Sequence, residues 1–132
     1  MAGPVDTLKV MSSKLPQIDD RNFETEVLQS PVPVLLDFTA VWCPPCRAIA
    51  PHVEAMAERY GGRLRVGCVD SDGNPELSAR YDVRALPTLL LFSGGQVVGQ
   101  IVGAVPRARI EALIERALGA PSQREAAAER HA

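Results

Sequence analysis

The chain has 132 residues, 46% of them hydrophobic and 23% charged, with a formal net charge of -2. That length suits one domain able to bury a core without disulfides or metals, and a mixed charge balance with no block of one sign argues against a nucleic-acid groove or a polybasic membrane patch. Three cysteines, two of them close together, are too few for the framework of a stapled secreted domain.

The first dozen residues show no clear period, and Met11 reads as a start as readily as Met1, so 1–13 are expected to form a loose extension. The stretch 1–14 lacks the apolar run of a signal peptide, and no later stretch reaches the roughly 20 apolar residues of a membrane span. A cytoplasmic location is therefore expected. A short strand near 15–18 gives way at Asp19-Asp20, carboxylates able to accept from free helix amides, to a helix with Phe23, Val27 and Leu28 on one face and its end at Ser30-Pro31.

The run 32–38 is almost wholly apolar, rich in branched residues and too short for a helix, the pattern of a strand buried on both faces. After Cys43 the period changes. Cys46, Ile49, Ala50, Val53, Met56, Ala57 and Tyr60 recur at steps of three and four until Gly61-Gly62, with a kink expected at Pro51. A strand over 64–69, a loop over 70–74 and a short helix over 75–81 follow, so strand, helix and strand form a parallel unit. Strands over 88–92 and 96–102, joined by Ser93-Gly94-Gly95, read as an antiparallel hairpin, which makes the sheet mixed. The last helix opens at Pro106, buries Ile110, Leu113, Ile114, Ala117 and Leu118, and is expected to end at Gly119, leaving 120–132 as a flexible tail and 14–119 as the domain.

The chemistry concentrates at Trp42-Cys43-Pro44-Pro45-Cys46, where the central strand hands over to the long helix. A thiol in a helix's first turn meets unpaired amides and the positive end of the dipole, which favour thiolate. Cys43, expected to be the more exposed, is the candidate nucleophile, and Cys46, one turn further on, the resolving thiol. Pro44 and Pro45 stiffen the segment and remove two amide donors. A zinc site would need a second pair of ligands, and only Cys68, His52 and His131 remain, so no metal is expected. Asp37 brings a carboxyl into an apolar strand, where burial raises its pKa. It is either a base for Cys46 or a polar residue satisfied at a strand end. Cys68, inside a strand, reads most simply as a small buried hydrophobe.

The strand Val34-Leu35-Leu36-Asp37-Phe38, the segment Trp42 to Cys46 with Pro51 beyond it, Ala85-Leu86-Pro87-Thr88-Leu89-Leu90-Leu91-Phe92, and Val102-Gly103-Ala104 together resemble bacterial thioredoxins in order and spacing, over about residues 14–118. The resemblance implies an α/β thioredoxin fold with a central mixed sheet flanked by helices on both faces. It implies a protein-disulfide reductase working by dithiol–disulfide exchange through Cys43 and Cys46, with Asp37 as the buried acid and Pro87 as a cis proline. Trp42, Leu86, Pro87, Val102, Gly103 and Ala104 would line a groove for an extended substrate segment. Implied partners are disulfide-containing proteins and a thioredoxin reductase as electron donor, with no bound cofactor, no nucleic acid and no membrane, and a monomer is expected. Three positions depart from the family: Pro44 replaces the usual glycine and resembles envelope reductases, Thr39 stands where a second tryptophan is common, and Cys68 where a lysine often lies near the acid. A peptide-gripping module without turnover is the reading from another class, and the intact cysteine pair opposes it.

Overall fold

The computed structural model describes residues 15–131, with side-chain surroundings described through Gly119. The expected extension 1–13 lies outside the described residues. Four strands, β1 (Val34–Thr39), β2 (Arg65–Asp70), β3 (Thr88–Ser93) and β4 (Gln96–Val102), form one sheet in the order β2-β1-β3-β4. The β1/β2 pair is parallel, whereas β1/β3 and β3/β4 are antiparallel, so the sheet is mixed as the sequence predicts. Three helices accompany it: α1 (Pro44–Tyr60), α2 (Pro75–Arg80) and α3 (Arg107–His131).

All six residues of β1 are buried, which places this strand in the middle of two cores. Alternation along it divides them. Leu35 joins Ile49, Val53 and Met56 of α1 and Ile110 and Ile114 of α3 on one face, while Val34, Leu36 and Phe38 meet Phe23, Val27 and Leu77 on the other. A continuous apolar run is what a strand covered by helices on both sides requires. At the hairpin, Ser93 pairs with Gln96, leaving Gly94 (φ 61°) and Gly95 (φ 82°) as a two-residue turn whose positive φ values only glycine adopts cheaply.

Three sequence expectations need correction. The strand near 15–18 is a single bridge, Gln17 to Cys68, bounded by hydrogen bonds from Ile18 N to Cys68 O (2.7 Å) and from Cys68 N to Pro16 O (2.9 Å). Pro16 has no N–H with which to extend the ladder. The helix after Asp19-Asp20 contracts to a π-helical turn, Glu24–Leu28, in which Gln29 N reaches five residues back to Glu24 O. Asp19 does accept from the amides of Arg21 and Asn22, as its carboxylate suggests. Finally, Gly119 does not end α3. It lacks the positive φ of a left-handed cap, unlike Gly61 at the end of α1, and the helix continues to His131.

Candidate active site

The site forms where β1 ends and α1 begins. Cys43 is the N-cap of α1 with extended backbone (φ -99°, ψ 104°), and prolines fill the next two positions. Proline is well tolerated there because the first helical amides have no partner within the helix. Its consequence is specific: with Pro44 and Pro45 lacking N–H groups, the first amide of the helix belongs to Cys46, and it donates to Cys43 Sγ at 3.3 Å. A capping role usually held by serine or aspartate is thus taken by sulfur. The two cysteines are joined as a disulfide, with Cα atoms 5.3 Å apart.

Cys43 and Cys46 are equally buried, each 2% exposed, contrary to the expectation that Cys43 stands further out. They form a small cluster with Ala40, and Leu86 packs against it. The bonded pair therefore lies under apolar cover, while Trp42 beside it is 60% exposed. The indole is not loose: its Nε1–H donates to Asp72 Oδ2 at 2.7 Å. Arg47 in turn donates to Val41 O at 2.6 Å, tying the turn before the cysteines to the first turn of α1.

The Leu86–Pro87 bond is cis. Pro87 is buried, and its carbonyl accepts from Gly103 N at 2.8 Å, which brings together the two segments named from sequence as groove walls. Val102 pairs with Thr88 in the β3/β4 register and is exposed, as is Ala104. Gly103 turns the chain with φ 91°. A side chain at that angle would be strained, so glycine is required for the turn.

Asp37 lies on the same face of β1 as Leu35, toward α1, and is 2% exposed. Among the described residues its Oδ1 has no hydrogen-bond partner. Burial raises its pKa from 3.8 to about 7. Of the two sequence readings, a satisfied polar residue at a strand end does not fit an unpartnered oxygen in the middle of a buried layer. Cys68, opposite Asp37 in the β1/β2 register, is wholly buried, and burial, then the charges of Asp37 and Glu54, push its thiol upward. That agrees with a buried, unreactive thiol. No group of three or more metal-binding side chains occurs among the described residues.

A family model described as Thioredoxin matches residues 14–116. The chain is 46% identical over 102 residues to "Thioredoxin 1" of Nostoc sp., covering 77% of this chain and 95% of that one. It is 42% identical over 106 residues to the thioredoxin of Synechocystis sp. (80% and 99% covered) and 44% over 108 residues to that of Acidithiobacillus ferridurans (82% and 100% covered). The chain belongs to the thioredoxin family. It is a thiol–disulfide oxidoreductase of the thioredoxin type, a protein-disulfide reductase, and thioredoxins in general take disulfide-bonded proteins as substrates and a thioredoxin reductase as partner.

Sequence reading of this thioredoxin missed Asp72 and Arg47. Asp72 lies thirty positions from Trp42 in a polar turn that carries no signal of its own. Asp72→Ala is expected to free the indole, change its emission, and raise KM for a protein disulfide by up to about fivefold with kcat kept, the scale of one ordinary hydrogen bond at an exposed site. Unchanged emission and KM would show that Asp72 does not hold Trp42 in solution.

Proposed function

We propose that Cys43 is the nucleophile, Cys46 the resolving thiol and Asp37 the base. The observation that carries this assignment is the Cys46 N–H aimed at Cys43 Sγ at the start of α1. In the reduced protein the same amide, with the helix dipole behind it, stabilises a thiolate on Cys43 and offers nothing to Cys46. The Cys43 thiolate attacks one sulfur of a substrate disulfide; a Cys43–substrate disulfide forms and the other substrate sulfur leaves as thiolate. Asp37, titrating near neutrality, takes the proton of Cys46. Cys46 then attacks Cys43 Sγ, the second substrate thiolate leaves, and two electrons have passed to the substrate.

The proposed substrate groove comprises Trp42, Leu86, Pro87, Val102, Gly103 and Ala104. Its support is the exposure of Trp42 and Val102, the packing of Leu86 on the cysteine pair and the bond between Gly103 and Pro87. The protein works without a bound cofactor, as a monomer in the cytoplasm, re-reduced by a thioredoxin reductase. Cysteine usage supports a reducing compartment, with one close reactive pair and one buried thiol.

The single tryptophan, adjacent to Cys43, is placed to report the redox state of the pair. Titration of its emission against a thiol–disulfide buffer is expected to show one two-electron transition near about -270 mV. A midpoint near about -120 mV would identify a disulfide-forming oxidant instead.

A further inference from the structure

Among the described residues, two buried side-chain polar atoms have no hydrogen-bond partner: Asp37 Oδ1 and Gln17 Nε2. One is an acceptor and the other a donor, and they belong to the same row of the sheet. Asp37 is the register partner of Cys68 across β1/β2, and Cys68 is the register partner of Gln17 in the bridge beyond β2. Side chains paired laterally in a sheet leave from the same face. The core composition agrees: Leu15, two residues before Gln17, packs with Cys68 and Leu35 in the layer under α1, whereas Ile18 packs in the opposite layer. Gln17, Cys68 and Asp37 therefore run side by side beneath α1.

Unpartnered buried donors and acceptors are costly and uncommon in native structures. A donor left over on one side of a small thiol and an acceptor left over on the other make a matched pair. Adjacent strands are about 4.8 Å apart, so the two backbones are separated by about 10 Å, of which the glutamine side chain crosses about half. The remainder fits a direct contact after a rotamer change or one bridging water. Among the described residues, α1 and α3 on this side also carry the Cys43–Cys46 pair, Glu54, whose charge acts on Cys68, Tyr60, bonded to Glu115, and the surface pairs Arg59–Glu111 and Arg107–His52. The shift at Asp37 comes from burial, with no contribution from any of these charges.

We propose that Gln17 is a positioning residue for Asp37: when the carboxyl loses its proton, Gln17 Nε2–H, directly or through one water seated beside Cys68, donates to the carboxylate and stabilises it. The significance of this contact for turnover rests on Asp37 being the base for Cys46. A donor matched to the charged form draws the midpoint below the value that burial alone sets, which favours proton uptake and release at neutral pH.

The test is a carbon-13 NMR titration of the Asp37 carboxyl in the full chain, which reads Asp37 without turnover. Gln17→Met keeps the length of the side chain and removes the donor; its expected result is a midpoint raised by about one unit or more, the scale of a hydrogen bond to a charged group. Cys68→Val, which walls Gln17 from Asp37 and leaves both in place, raises it too, and decides alone if Gln17→Met does not fold. A merely structural role for Gln17 would loosen packing, admit water and move the midpoint down toward the ordinary carboxylate range. An unmoved or lowered midpoint in Gln17→Met overturns the inference. Failure of the base assignment appears elsewhere, as an unaltered pH profile of turnover in Asp37→Asn, and leaves the NMR shift standing.

Discussion

Cys43→Ser is expected to reduce disulfide-reducing turnover to the uncatalysed background, a loss of more than about three orders of magnitude, while Cys46→Ser retains the first step and accumulates a mixed disulfide on Cys43. The asymmetry follows from the N-cap. The Cys46 amide points at Cys43 Sγ, whereas Cys46 Sγ, one turn into α1 and equally buried beside Ala40 and Leu86, lies past the amide that is aimed back at the cap. Stabilisation of negative charge is therefore offered to one sulfur only, and thiolate fraction governs which sulfur attacks. Mass spectrometry after mixing each variant with a disulfide-bonded peptide reads the outcome. A mixed disulfide accumulating on Cys46 in Cys43→Ser, with none forming on Cys43 in Cys46→Ser, would reverse the two roles.

Asp37→Asn is expected to stabilise the protein at alkaline pH and to slow the resolving step. The folded state holds the Asp37 proton until about pH 7, against 3.8 ordinarily, because burial disfavours the carboxylate. A raised carboxyl pKa contributes stability that is fully present below about pH 4 and is lost as pH rises through 7, since over that interval the folded state binds a proton the unfolded state has released. At about 1.4 kcal/mol per unit, the charged carboxylate costs about 4 kcal/mol above pH 7. Asparagine has nearly the same shape and no charge, so urea unfolding of the variant should lack that fall between pH 4 and 8 and exceed the wild type at pH 8. Parallel curves for the two proteins would contradict a buried, titrating Asp37. Loss of the base is expected to slow release of the reduced substrate by about 10²- to 10⁴-fold at neutral pH. Stability gained and turnover lost by one substitution is the signature of a group kept in the core for chemistry.

Pro44 and Pro45 bear on the first of these results. Each removes an amide from the turn facing Cys43, which on sequence alone suggests a poorly stabilised thiolate. The fold answers differently, because the first surviving amide is the one directed at the sulfur. How far this compensates is read from the midpoint of the Trp42 redox titration.

The order and type of the sheet and long helices were legible because burial leaves a period. β1 reads as a nearly unbroken apolar run, interrupted by Asp37, because helices cover both its faces, α1 as inward residues at steps of three and four, and the β3–β4 hairpin through Gly94-Gly95. The cysteine pair and its place at a helix start were legible for the same reason, since the change of period occurs at Cys43. Short elements were not: the bridge at Gln17 and the π-helical turn Glu24–Leu28 depend on what β2 and the second core layer present to them. Nor was the end of α3, because Gly119 accepts helical φ as readily as the left-handed value and its own residue type does not choose.

By itself, then, the sequence determined which residues face inward and which carry reactive chemistry, properties written in local period and residue type. Only the tertiary structure decided which of them meet: Trp42 with Asp72, Gly103 with Pro87, and Gln17 and Asp37 on either side of Cys68. Those meetings join residues far apart in the chain through strand register and helix packing. A hydrogen bond or an unspent donor leaves no trace in the residues that flank it.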